Sequence, residues 1–385
     1  MNLTKSTLFF LTLVCGFSVA NLYYNQTLFV LIGDAFHHSV DEVSILSTAT
    51  QIAYAAGLVL FVPLADVFSR KKLIAILLGV NAIMQLVCAF TPWFQLLLLG
   101  SVFIGVTTVA AQIVIPAITL VSPENQRGKN VGLLMSGLFS GIVFARLLSG
   151  MVGHYFGWRD VYLMSFGIDV ALIVGTLCLF PAIPAGKKIP YFKLLGSLGG
   201  ILSREPVLRR TCAYGALIFC SFSGLWGALD YLLSSPPYHY SSNIVGLFSL
   251  IGIFGVFSSN IIGRLADKHG VGAVLKWIPA AVILSFVSIG FSSVFLLFLI
   301  VGMIVLDTAS RASLISNQLV NYTLSADMRS RVNTIFMSCY FIGGAIGTSI
   351  GSIMAVQFGW FGLAVFGILC AVLTYVLNGY FSKKK

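Results

Sequence analysis

The chain has 385 residues, 58% of them hydrophobic and only 9% charged, with a mean hydropathy of +0.97. Soluble globular proteins carry about 25% charged residues, so a soluble enzyme or binding module is excluded. The formal net charge of +11 raises nucleic acid as a partner only until the basic residues are placed along the chain.

A helix needs about 20 apolar residues to cross a bilayer. Runs of that length predict twelve spans, at roughly 7–32, 43–65, 72–91, 94–121, 130–154, 160–181, 210–234, 243–265, 272–291, 294–318, 331–356 and 359–381. The first run begins near Lys5 and is too long for a signal peptide, so it is read as an uncleaved span. The longest break, 182–209, carries Pro184, Pro190 and Pro206 and an amphipathic stretch around 191–202. It reads as a cytoplasmic linker lying on anionic headgroups. It divides the chain into a first unit, 1–181, and a second, 210–385.

With the N-terminus inside, all but three of the 23 Lys and Arg fall on the inner side. Arg159 falls outside, and Arg146 and Arg311 fall within spans. This sorting places both termini in the cytoplasm. The basic excess is therefore a topology signal, and no nucleic acid is expected. Cys15, Cys88, Cys178, Cys212, Cys220, Cys339 and Cys370 all lie in spans and read as packing residues. His37 and His38 share an external loop with no third ligand nearby, so no metal site is expected.

The sequence repeats itself at an offset of 202 residues. Arg127 recurs as Arg329, Met135-Ser136 as Met337-Ser338, Gly141 as Gly343, and Phe156-Gly157-Trp158 as Phe358-Gly359-Trp360. Two parallel copies of a membrane bundle are the architecture of many solute carriers. The glycines of span 5 (Gly137, Gly141) and span 11 (Gly343, Gly344, Gly347, Gly351) permit close helix approach, and a sliding interface between the two halves is one reading of them.

Leu64-Ala65-Asp66 followed by Arg70-Lys71-Lys72 resembles the signature loop of the major facilitator superfamily, and Gly263-Arg264-Leu265-Ala266-Asp267-Lys268 resembles it again. Stretches 19–26, 127–150, 156–159 and 329–338 together resemble a bacterial branch of the drug:proton antiporters. The span 5 antiporter motif survives as Gly137, Gly141 and Ser149-Gly150, with Ala145-Arg146 near its proline position; Ser101 stands where span 4 usually carries a base. The resemblance implies an all-α integral membrane protein, twelve transmembrane helices in two six-helix pseudo-symmetric bundles. It also implies a bacterial inner-membrane location, an expected monomer in the lipid bilayer, and a cavity lined by spans 1, 4, 7 and 10.

Physical reading of the loops gives a conformational latch. Asp66 and Asp267 sit at cytoplasmic span ends, where a carboxylate can meet a helix N-terminus. Arg127 and Arg329 open spans 5 and 11 nearby, and Arg70 and Gly263 belong to the same loops.

Charges at bilayer depth cost about 2.5–3.5 kcal/mol each on insertion scales, so they are functional candidates. Arg146 and Asp169 lie about equally far from the turn at Gly157, which predicts an intramembrane ion pair. Asp307 and Arg311 share a helix face. Burial opposes the carboxylate's charge and Arg311 favours it, a competition suited to loading and releasing protons. Asp230, the next proton-coupling candidate, ends an aromatic face formed by Trp226, Phe222 and Phe219, which suits a lipophilic cation. Asn21, Tyr24 and Asn25 in span 1, with Gln26 adjacent, and Gln112 in span 4 are candidate cavity residues; buried amides need either a wet cavity or helix–helix hydrogen bonds.

No phosphate loop or metal cluster is present in the sequence, so neither enzymatic activity nor a cofactor is expected. The expected function is secondary active transport by alternating access, exporting a small amphipathic compound in exchange for protons. A proton-coupled importer of a small metabolite is the alternative, ahead of a channel or a non-transporting receptor.

Overall fold

A computed structural model describes residues 4–65, 67–181, 190–254, 270–324 and 328–382. Regular structure in these residues is entirely helical. In chain order come α1 (Lys5–Ala20), a 3-10 turn (Tyr24–Thr27), α2 (Phe29–Phe36), α3 (Val40–Val43), α4 (Ile45–Leu64), α5 (Arg70–Phe90), α6 (Phe94–Thr107), α7 (Ala110–Val121), α8 (Glu124–Tyr155) and α9 (Trp158–Leu179). Then follow α10 (Tyr191–Arg204), α11 (Pro206–Ser234), α12 (Ser242–Leu247), a second 3-10 turn (Phe248–Ile251), α13 (Val271–Gly290), α14 (Leu296–Tyr322) and α15 (Arg329–Ser382).

Nine helices among the described residues are long and apolar enough to cross a membrane. α15, at 54 residues, is two crossings joined at Gly359, whose φ of 60° no ordinary residue adopts without strain. α1 with α2 makes another, and Ser242–Phe254 carries the described part of the eighth. The outer surface bears Ile76, Leu284, Trp277 and Phe361, each more than 60% exposed. Such an apolar exterior is stable only against lipid tails.

The repeat is visible in the backbone. Gly157 (φ 106°) and Gly359 (φ 60°) make equivalent turns, at the same 202-residue offset, between the last two crossings of each copy. α1 crosses α8 where a Cβ on Gly141 would strike the backbone of Gly16. In the second copy, α11 crosses α15 where a Cβ on Gly343 or Gly347 would strike the backbone of Ala216 or Cys220. These glycine contacts lie within each copy, which corrects the reading of Gly141, Gly343 and Gly347 as a sliding interface. Close approach between the copies occurs instead at Gly150 of α8 and Gly246 of α12, and where Gly344 meets Gln51.

Two crossings that read as continuous are broken. After Ala20 the amides of Leu22 and Tyr23 bond back to the carbonyls of Val19 and Ala20, closing tight turns in place of the helical ladder. Between α6 and α7, the Thr107 and Thr108 hydroxyls bond to the carbonyls of Phe103 and Ile104, both at 2.7 Å. Hydroxyls that bond the preceding turn compete with the helix and bend it.

The linker helix α10 lies at the end of the bundle that carries the termini. The Tyr191 hydroxyl donates to the carbonyl of Leu60 on α4 (2.8 Å), and Arg331 on α15 donates to Ser197 (3.1 Å). It therefore touches both copies at this termini end. The opposite, distal end holds the turns at Gly157 and Gly359.

Candidate functional site

Both copies wall a small cavity at mid-depth, of about 80 Å³. Tyr23, Tyr54, Gln112, Phe139 and Arg146 come from the first copy; Phe222, Asp307, Arg311 and Tyr340 come from the second. Gln112, Leu138, Phe139, Leu314 and Met337 also line a wider hollow of about 430 Å³. That hollow runs toward the termini end, past Thr119, Val131 and Asn333.

Hydrogen bonds between the copies gather at mid-depth and distally. Gln51 donates to Thr348 (2.9 Å), Ser249 to the carbonyl of Val143 (3.0 Å), and Ser242 to the carbonyl of Gly150 (3.2 Å). The amide of Val30 donates to Asp230 (3.0 Å). The described contacts thus seal the distal side and leave the termini side hollow.

Three charged side chains line the cavity. Asp307 and Arg311 stand one turn apart on α14, and the guanidinium donates from Nε at 2.8 Å and from Nη2 at 3.5 Å. Arg311 also reaches the carbonyl of Gly252 (3.4 Å) and lies 4.7 Å over the ring of Phe139. Arg146, on α8, donates from Nε to Gln26 (3.0 Å) and stacks 3.8 Å over Trp226 and 4.8 Å over Tyr23.

The expected Arg146–Asp169 ion pair is not formed. Asp169 is fully buried on α9 and accepts from Asn21 at 3.3 Å and 3.4 Å. Sequence distance from the turn set the two residues at matching depth but carried no information on azimuth. Arg146 faces the centre of the molecule, and Asp169 faces α1 and α5. Asp230 is corrected likewise: it serves the start of α2 and does not line the cavity.

The polar residues of span 1 divide. Asn21 takes the helix–helix alternative, donating to Asn81 (3.1 Å) and Asp169 and accepting from Ser165 (2.7 Å). Tyr24 and Asn25 are buried outside the cavity lining, so they are corrected as cavity residues. Gln112 and Phe222 do line the cavity, and Trp226 stands behind Arg146. Asp66, Gly263 and Asp267 lie outside the described residues; Arg127 and Arg329 lie in the first turns of α8 and α15, and Arg70 opens α5 and is buried.

Sequence reasoning missed Tyr23, Tyr54 and Tyr340; Gln26, one of the polar residues it noted in span 1, accepts from Arg146. It also missed Asn81, whose amide binds Ile104, Thr107 and Thr108 beside the α6–α7 break. A lone asparagine in the apolar run of α5 was the available signal.

A sequence pattern for the Major Facilitator Superfamily matches residues 8–319. The chain belongs to the Major Facilitator Superfamily. It is 34% identical over 379 residues to the putative uncharacterized transporter YgaY of Escherichia coli K12, covering 97% of this chain and 95% of that one. It is 28% identical over 363 residues to the probable transporter SCO4007 of Streptomyces coelicolor, covering 94% and 83%. Its fold is similar to the crystal structure of the nucleoside transporter NupG, with a TM-score of 0.74, 19% identity and coverage of 100% and 99%. This superfamily member is a multi-pass membrane transporter and not an enzyme. It has the twelve-helix, two-bundle fold.

Proposed function

We propose that this transporter is a proton-coupled secondary carrier working by alternating access, with the mid-depth cavity as its substrate site. Both termini would face the cytoplasm of a bacterial inner membrane, as the sorting of Lys and Arg supports. The observation that carries the reading is the buried Asp307–Arg311 pair in a cavity walled by both copies. Ionised, Asp307 holds Arg311; protonated, it releases it, and the cavity charge changes by one unit. That change is felt strongly in a low-dielectric site, so proton occupancy and substrate occupancy would be linked. The loops of Asp66 and Asp267 would latch the termini end when it closes.

The sign of the coupling follows from the charge of the substrate. A cation would compete with the proton, giving exchange and export. An anion would bind together with the proton, giving co-transport and import. The excess of guanidinium in the cavity favours the second.

The test uses purified protein in liposomes loaded with a pH-sensitive dye. Compounds that drive proton movement in wild type are compared with Asp307→Asn. The variant is expected to lose proton movement while still exchanging the same labelled compound across the membrane. Undiminished proton movement in Asp307→Asn would overturn the coupling role.

A further inference from the structure

We infer that the cavity takes a small organic anion with an aromatic or apolar body, its charged head on Arg146. This rests on the cavity being the substrate site and deepens that reading to a substrate class.

The ionisable groups facing the cavity are Tyr23, Tyr54, Arg146, Asp307, Arg311 and Tyr340. Two guanidinium groups against one carboxylate leave one positive charge in excess. Asp307 is engaged by Arg311 through both of its oxygens. Among the described residues no carboxylate stands at ion-pair distance from Arg146, and Asp307 acts on it only from farther off. It is 3% exposed, its Nε is taken by an uncharged amide, and its Nη2 is buried without any hydrogen-bond partner. A buried, unpaired charge costs several kcal/mol, and a guanidinium presents a planar fork matched to carboxylate and phosphate oxygens. An anion at Nη2 supplies both the missing charge and the missing acceptor.

The walls describe the rest of the ligand. Tyr23 and Trp226 hold the guanidinium plane by stacking, which fixes the direction of its free edge. Phe139, Phe222 and Phe341 line the cavity and give an apolar body aromatic surface to pack against. The wider hollow toward the termini end provides the room that about 80 Å³ does not.

The arrangement also couples the anion to the proton. Neutralising Asp307 frees Arg311 and raises the cavity from one excess positive charge to two. Each of the proton and the anion then favours binding of the other, by reciprocity of linkage.

The experiment measures affinity of the purified full-length protein for three isosteric probes: 2-naphthoate, 2-naphthalenemethanol and 2-naphthylmethylammonium. A charge-assisted hydrogen bond contributes about 1.5–3 kcal/mol, so naphthoate should bind about tenfold to a hundredfold tighter than the alcohol. Arg146→Gln should abolish that preference, and Arg146→Lys should retain part of it. Asp307→Asn should tighten naphthoate binding, a gain that misfolding does not produce. Equal affinity for all three probes, preference for the ammonium, no binding to folded protein, or an Arg146→Gln variant that keeps the anion preference would each overturn the inference. Binding is measured without a gradient, so its result is separate from the liposome test. Anion selectivity with proton movement intact in Asp307→Asn overturns the coupling reading alone; proton coupling with an ammonium preference overturns the anion alone.

Discussion

Asp230 on α11 accepts the backbone amide of Val30 at 3.0 Å, joining the second copy of the repeat to the first turn of α2. A negative group at a helix N-terminus satisfies orphan amides and meets the positive end of the helix dipole. Under the alternating access proposed above, the distal side breaks this contact in order to open.

Removing that contact should therefore favour distal opening. Hydrogen bonds to a charged group contribute about 1.5–3 kcal/mol, so Asp230→Ala should shift the equilibrium by about tenfold or more. Spin labels at Asp41 and Ser241, one on each copy, would report the change as a larger population of long distances. An unchanged distance distribution would reduce the contact to local capping.

The glycines make a contrast that separates packing from helix propensity. A Cβ at Gly343 would strike the Ala216 backbone, whereas a Cβ at Gly79 on α5 would meet nothing within 4 Å. Gly343→Ala should cost about 1–3 kcal/mol through overpacking. Gly79→Ala should be neutral or stabilise by up to about 1 kcal/mol. Thermal midpoints of the two variants in one detergent should move in opposite directions or differ by several degrees.

Asn81 ties three crossings together, accepting from Asn21 and from Gln85 on its own helix and donating to Ile104, Thr107 and Thr108. Asn81→Ala leaves the Gln85 side-chain amide buried without its partner, at about 1–3 kcal/mol, and takes one hydrogen bond each from Asn21, Ile104, Thr107 and Thr108. The thermal midpoint should fall by about 5–10 °C. A fall of under a degree would mean that water replaces the lost amide.

The scaffold was largely legible in the sequence because lipid imposes one simple demand, long apolar runs with every backbone group paired within the segment. The turns at Gly157 and Gly359 were legible as a repeated Phe-Gly-Trp. The breaks at 21–23 and 107–109 were not, since they depend on side chains bonding sideways to carbonyls that an apolar run does not reveal. The Asp307–Arg311 contact was readable because both residues sit on one helix at a fixed spacing. The partners of Arg146, Asp169 and Asp230 were not readable, because each lies on another element, and its facing depends on how whole helices rotate against one another.

The 202-residue duplication treats the frame and the cavity differently. At the same offset, the positions equivalent to Arg146, Asp307 and Arg311 are Thr348, Gly105 and Val109. The turns and tight crossings are thus encoded twice, while each cavity charge is encoded once. A duplicated frame can keep its mechanics while a handful of unpaired positions diverges. Cargo preference in this lineage is therefore open to revision by a few substitutions, and a designer wishing to retarget it has those same few positions to change without touching the hinges.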